Sequence, residues 1–164
     1  MRDMRGRPIE VTEPDPTAGA GADYADAFEI ARGDTDLRSA EQWAREGFGQ
    51  LPLATRRAGM LAHRHLLGFE LGPFSSPQHI FGWRVARSEQ DVLHLTAEGR
   101  RMQADMVWRL HGQHLQMTTF VHYRQRPLAA LVWAIAGPVH RNGVPGLLRL
   151  AARHPAPQTQ THAG

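Results

Sequence analysis

Alternating apolar and polar residues predict strands in two parts of the chain. In the first part, Tyr24, Asp26, Phe28 and Ile30 alternate with Ala25, Ala27 and Glu29, a period of two that is typical of a half-buried strand. Four further alternating runs follow, at residues 79–86, 92–97, 102–110 and 115–124. Since only short turns separate these four runs, they predict an antiparallel meander with one apolar face.

Three other stretches have the patterns of helices. Ser39 precedes the segment EQWAREGF, and a serine N-cap followed by an acidic first turn predicts a helix there. A second helix is expected over residues 52–67, with a proline at its start and a glycine after its end. The last helix, over residues 127–153, is apolar on most sides, and Pro138 and Pro145 are expected to kink it.

The predicted order is therefore strand, two helices, four-stranded meander and long helix (β-α-α-β-β-β-β-α). A sheet with one apolar face and a long apolar helix to cover it predict an α+β domain, in which the kinked C-terminal helix lies across a curved antiparallel sheet. The domain is expected to span residues 22–154. Residues 1–21 and 155–164 are rich in proline, glycine, alanine and polar residues and are expected to be disordered.

Composition narrows the class of protein. The chain has 164 residues, of which 41% are hydrophobic and 21% charged, as in ordinary soluble domains. It has no cysteine, which excludes disulfides, thiolate metal ligands and cysteine nucleophiles. The first residues lack the apolar core of a secretory signal, and the longest uncharged apolar run, 128–139, is shorter than the ~20 residues of a membrane span. A cytoplasmic location without a membrane span is predicted.

Charge and histidine content suggest neither nucleic acid nor metal as a partner. All 19 basic residues are arginine and the net charge is +3, but the arginines are scattered among acidic residues and form no stripe of the kind that binds nucleic acid. His63 and His65 are two apart on a predicted helix and point to different faces, and no HExxH-like spacing occurs among the ten histidines. No Gly-x-Ser-x-Gly elbow, phosphate loop or dinucleotide fingerprint is present, so no cofactor is expected.

Three segments carry a resemblance to a known family. They are ADYADAFEI at residues 22–30, MTTFVHYR at 117–124 and AGPVHRNGVPGLLRLAAR at 136–153. In their order and spacing they resemble the START/polyketide-cyclase/pollen-allergen superfamily, whose fold is the helix-grip, and within it the bacterial domain of unknown function 2867. A histidine-arginine pair in the last helix of that family corresponds here to His140 and Arg141. The resemblance implies a helix-grip fold and a cavity for a small apolar molecule, but no reaction.

The chain departs from that family in two respects. An Asn-Gly-Arg turn often precedes the family's last helix, whereas residues 124–127 here are RQRP. The meander is also short, so a small or shallow cavity is expected.

Eight residues are candidates for lining or anchoring a ligand. Large inward side chains would form the apolar wall, although such residues also fill ordinary cores. Polar candidates on the same faces would orient the ligand, and the alternative for each is a structural hydrogen bond. The apolar set is Trp83, Met106, Trp108, Met117 and Trp133, and the polar set is Asp26, Thr119 and His140.

Three functions remain open at this point. The first is binding of a small apolar, lipid-like or polyketide-like ligand between sheet and helix, and it ranks first because no group of residues demands chemistry. The second is a cyclase-like or dehydratase-like enzyme, with Asp26 and His140 as acid and base. The third is a homodimeric interaction module, in which the apolar helix face at residues 128–139 forms the interface.

Overall fold

The computed structural model describes residues 6–11, 15 and 18–153. Within these residues one antiparallel sheet has the strand order β1-β2-β8-β7-β6-β5-β4-β3, and a long C-terminal helix packs on it. The elements are β1 Arg7–Ile9, β2 Tyr24–Ala31, α1 Ala40–Gly49, α2 Leu53–Leu61, β3 Ser75–Ser76, β4 His79–Ile80, β5 Trp83–Ser88, β6 Val92–Glu98, β7 Met102–His111, β8 His114–Tyr123 and α3 Arg126–Ala152. The predicted α+β class is confirmed, and the arrangement is helix-grip-like.

Two stretches of the sheet differ from the predicted pattern. Residues Arg7–Ile9, inside the segment expected to be disordered, pair with β2 as an edge strand, and Arg7 forms an ion pair with Glu29. Of the two terminal segments, residues 1–5, 12–14, 16–17 and 155–164 lie outside the described residues. The prediction of a single strand over residues 79–86 is wrong, because Phe81 and Gly82 both have positive φ and form a two-residue turn between β4 and β5.

The predicted inward faces of the two longest strands are confirmed. Alternate residues of β7, from Met102 to Leu110, belong to the main core, and so do Leu115, Met117 and Val121 of β8. In the sheet register, Asp26 of β2 lies beside Thr119 of β8, which in turn lies beside Met106 of β7. The three residues therefore form one row across the concave face of the sheet.

The first helix is fixed at its start and packed tightly against the end of α3. Ser39 caps α1 as predicted: its hydroxyl accepts a hydrogen bond from the Gln42 backbone, and the Gln42 side chain accepts one from the Ser39 backbone. A Cβ atom on Gly47 would lie only 3.0 Å from the Cβ of Ala151. A residue larger than glycine at this position would push the two helices apart.

The long helix continues from Arg126 to Ala152 through both internal prolines. A proline cannot donate to the carbonyl four residues earlier, so the carbonyls of Ala134 and Arg141 lose their helical partners. Both of these residues are exposed, as is Pro138, and water can hydrogen-bond the free carbonyls on that side. The helix thereby tolerates two prolines that would be costly on its buried face.

Candidate functional site

A cavity of about 260 Å³ lies between the sheet, the end of α2 and the first half of α3. Its wall is almost entirely apolar, and it opens to solvent beside Leu66, Ile135 and Val139, which line it and are themselves exposed. The lining residues are Gly59, Ala62, His63, Leu66, Leu67, Phe69, Trp83, Ala104, Met106, Thr119, Trp133, Ile135, Ala136, Val139 and His140.

Five of the eight candidate residues line this cavity: Trp83, Met106, Thr119, Trp133 and His140. They come from β5, β7, β8 and α3, so distant parts of the sequence meet at one wall. The alternation of the strands and the position of His140 two turns after Trp133 on α3 explain why all five face the same space. The ring centroids of Trp133 and His140 lie 5.4 Å apart.

The other three candidates lie outside the cavity wall. Trp108 and Met117 are fully buried and neighbour each other across β7 and β8, and Trp108 packs against Phe48 of α1 with ring centroids 6.0 Å apart. Both therefore contribute to the packed core. Asp26 does not line the cavity, but it contacts His140, which does.

Asp26 is the centre of a small polar network between β2 and α3. Its carboxylate lies 3.1 Å (Oδ2) and 3.2 Å (Oδ1) from Nε2 of His140. The Tyr24 hydroxyl donates to Asp26 Oδ2 at 2.6 Å, and Arg141 Nη1 donates to that hydroxyl oxygen at 3.1 Å. The carboxylate on the apolar strand face is thus paired, as its partial burial requires.

The network holds the His140 ring in one orientation. Burial, and secondarily the hydrogen bond to Asp26, raises the pKa of Tyr24 to about 12, so Tyr24 stays protonated and donates at neutral pH. Nε2 of His140 is occupied by its contact with the Asp26 carboxylate. Nδ1 of the same ring has no hydrogen-bond partner among the described residues. A histidine oriented by a carboxylate, with one ring nitrogen left over, can hold a ligand or move a proton.

A second imidazole, that of His63, faces the same cavity. A π-helical turn, Ala62–Leu66, continues α2 and carries this residue. The ring packs edge-on against Phe81 and Trp83, with centroids 5.3 and 5.8 Å away. The pKa of His63 is lowered to about 4, mainly by burial and to a smaller extent by the nearby His140, while the hydrogen bond to the Gly59 carbonyl acts in the opposite direction. His63 is therefore neutral at physiological pH.

Buried polar atoms without a partner do not by themselves mark the site. The indole nitrogens of Trp83 and Trp133 have no hydrogen-bond partner in the described residues, but neither do those of Trp43 and Trp108, which lie outside the cavity. The hydroxyl of Thr119, a residue of the cavity wall, is likewise unpaired among the described residues. A ligand oxygen would satisfy it.

The contribution of the α2 segment to the cavity wall was not predicted from the sequence. Residues 59–69 supply six of the cavity-lining side chains or glycine positions, including His63, which was considered only as a metal ligand. Helical periodicity gave no signal, because no residue of α2 or of the π turn is fully buried. A π turn often occurs at a functional site, but its extra residue is invisible in the amino-acid pattern.

In the part of the chain that the structure describes, no cluster of three or more histidine, aspartate or glutamate side chains is arranged to hold a metal ion. Among the same residues, no helix has both the length and the apolar character needed to cross a bilayer.

Comparisons with known proteins add little. No family model matches the chain, and no curated protein matches it. Among solved structures, the chain is similar to PA94, a protein of unknown function from Pseudomonas aeruginosa, with 17% identity and a TM-score of 0.24. The match covers 96% of this chain and 87% of PA94. A likeness of this size supports no conclusion about function.

Proposed function

We propose that this protein binds a small, mainly apolar molecule in the cavity between the sheet and the first half of α3. The observation that carries the proposal is the cavity itself, which is open at one side and walled by aromatic, aliphatic and methionine side chains. An empty apolar space at the centre of a fold is costly, because its walls lack packing partners. A ligand that fills it gains those contacts and the burial of its own apolar surface.

The cavity limits the size of the ligand. Its volume of about 260 Å³ lies just below the usual range for small-molecule sites. At about 30 Å³ for a water-sized group, it holds roughly nine such groups. A ligand of about this size fits inside, and a longer chain would extend through the opening beside Ile135 and Val139.

A cavity-filling variant tests the proposal against a matched control. Ala136 lines the cavity, whereas Ala130 lies on the exposed side of the same helix. We expect Ala136→Leu to weaken binding of the neutral fluorescent probe Nile red at least tenfold, with Ala130→Leu unchanged. Native mass spectrometry of the purified protein should show a bound small molecule in the wild type and less of it in Ala136→Leu. Equal probe binding by all three proteins would contradict the proposal.

An enzymatic role is the second candidate, and the His140–Asp26 pair favours it. The two side chains are in hydrogen-bond contact and one of them lines the cavity, as an acid-base role requires. Asp26 would orient the ring, and His140 would take or give the proton, in a cyclisation or in a dehydration that releases one water.

The enzymatic role is tested on a molecule that co-purifies with the protein. We expect the small molecule recovered from the wild type and from His140→Asn to have the same mass and the same chromatographic retention if the protein only binds it. A wild-type molecule that has lost one water, or that has the same mass but a different retention as a cyclised isomer, beside an unchanged molecule from His140→Asn, would establish catalysis instead.

Two further assignments stay proposals. The helix-grip-like fold and the pair His140-Arg141 support a relationship to the START-like superfamily and to the domain of unknown function 2867. A cytoplasmic location is the second of these proposals.

A further inference from the structure

We propose that the ligand is a neutral hydroxyl compound, an alcohol or a phenol, whose hydroxyl group donates a hydrogen bond to Nε2 of His63. This inference rests on the proposed ligand-binding function and adds the chemical class of the ligand. The tautomer of His63, the absence of arginine and acidic residues from the cavity wall and the position of Thr119 support it.

The backbone fixes which nitrogen of His63 carries the proton. Nδ1 lies 2.7 Å from the carbonyl oxygen of Gly59, one turn earlier. A carbonyl oxygen only accepts hydrogen bonds, so Nδ1 must be the protonated nitrogen and Nε2 the one with a free lone pair. The His63 side chain makes no other hydrogen bond among the described residues. The cavity therefore presents an acceptor at this point, which calls for a donor on the ligand.

The cavity wall provides no arginine for an acidic ligand, and its His140 already has Asp26 as a partner. None of its lining residues is arginine, aspartate or glutamate. Arg141, the residue after His140, points to the Tyr24 hydroxyl instead. The aromatic side chains around His63 disfavour its charged form, which agrees with the lowered pKa. A carboxylate in this space would lose its hydration without gaining a counter-ion.

A hydroxyl group suits the polar atoms that are present. It donates one hydrogen bond and accepts others, so it can give its proton to His63 Nε2 and accept from the unpaired Thr119 hydroxyl. A ketone or ester could accept from Thr119 but would leave the acceptor on His63 unsatisfied, and a hydrocarbon would leave both unsatisfied. A ligand that leaves a buried polar group without a hydrogen-bond partner binds more weakly, and this difference makes the site selective.

Three probes with the same ring system separate these cases. Naphthalene, 2-naphthol and 2-naphthoate are compared by titration calorimetry at pH 7, where a carboxyl group is ionised. The variants are His63→Phe, which keeps an aromatic ring beside Phe81 and Trp83, and His65→Phe, a control at an exposed residue of the same π turn. Circular dichroism and thermal melting verify that each variant is folded, and a third variant, His63→Leu, replaces His63→Phe if the latter fails that test.

The measured quantity is the affinity for 2-naphthol divided by the affinity for naphthalene. We expect this ratio to fall roughly 2- to 12-fold in His63→Phe, the effect of one neutral hydrogen bond, and to stay unchanged in His65→Phe. Wild-type protein should bind 2-naphthoate most weakly of the three. An unchanged ratio in His63→Phe, or tightest binding of 2-naphthoate, would overturn the inference but leave the ligand-binding function intact. Failure of all three probes to bind would overturn both.

Discussion

The two halves of α3 pack against the same sheet, but one half is closely packed and the other leaves a cavity. The second half is closely packed: Leu148 and Ala151 are fully buried, and Gly47 of α1 allows the helices to approach closely. Arg38 reinforces this end, because its guanidinium stacks 3.8 Å from the Trp43 ring centroid and donates to the Ala151 carbonyl. The first half covers the cavity on one side and exposes Leu128, Leu131, Ile135 and Val139 on the other.

The difference shows how one helix can hold a fold together and leave a binding space. α1 fills the gap between sheet and helix at one end with Trp43 and Phe48. At the other end α2 and the π turn contribute no fully buried side chain, so the gap stays open. Stability should therefore depend on the second half of α3 and ligand binding on the first half.

The largest expected effect comes from equal truncations in the two halves. Leu148→Ala removes a side chain with no exposed surface and should lower the free energy of unfolding by about 2–5 kcal/mol. Leu131→Ala removes a side chain that is 60% exposed and should cost less than about 0.5 kcal/mol. Urea denaturation of both variants measures the difference. Similar losses in the two variants would mean that the halves do not differ as described.

A smaller effect concerns pH and His63. Its pKa is about 4 in the fold and about 6.5 in the unfolded chain. Between these values the unfolded state takes up a proton that the folded state does not, so this contribution to stability is complete above pH 6.5 and declines as the pH falls toward 4. From pH 7 to pH 5 the free energy of unfolding should fall by about 1–2 kcal/mol. Water that enters the cavity mouth screens the charge and brings the loss toward the lower value.

The variants that test His63 in binding also isolate this effect. Urea denaturation at pH 7 and pH 5 should show a loss that is about 1–2 kcal/mol smaller in His63→Phe than in the wild type. The control His65→Phe should behave like the wild type, because that side chain is exposed. His140 also lines the cavity, so the two pH values are compared within each protein. Identical pH dependence in all three proteins would rule out a buried neutral His63.

A third prediction concerns the network that orients His140. In Asp26→Asn the negative charge beside Tyr24 is lost, so the pKa of Tyr24 should fall by up to about one unit. It should remain above 10, because burial is the largest cause of its raised value of about 12. Absorbance titration in a Tyr123→Phe background follows Tyr24 alone, since the chain has two tyrosines. A Tyr24 pKa that does not change would mean that the hydroxyl does not donate to Asp26 in solution.

Periodicity predicted the sheet faces because burial on one side imposes a period of two over many residues. The inward positions of β7 and β8 followed from it, and so did three cavity residues, Trp83, Met106 and Thr119. The turn that divides residues 79–86 into β4 and β5 was not predicted, because Phe81 and Gly82 form it without interrupting the alternation of apolar residues. The strand Arg7–Ile9 was missed for a related reason: it is a short edge strand whose register depends on β2 and not on its own composition.

The network and the open end of the cavity depend on tertiary contacts that no local pattern contains. Asp26 and His140 were placed together in one hypothesis as acid and base, but their direct contact across 114 positions required the fold. The sequence also could not show which apolar side of α3 faces the sheet. Ala129 and Trp133 are buried, whereas Leu131 and Ile135 are exposed.

The smallest expected effect tests whether that exposed stripe is an interface. Leu131→Glu should change the stability of the protein by less than about 0.5 kcal/mol, because the side chain already contacts water. A homodimer that buries the stripe would instead lose stability in this variant, and the wild-type melting temperature would rise with protein concentration. Light scattering and thermal melts over a hundredfold concentration range distinguish the two cases. We expect no concentration dependence, since the opening of the cavity lies beside Ile135 and Val139 and a partner on this face would close the ligand's route of entry.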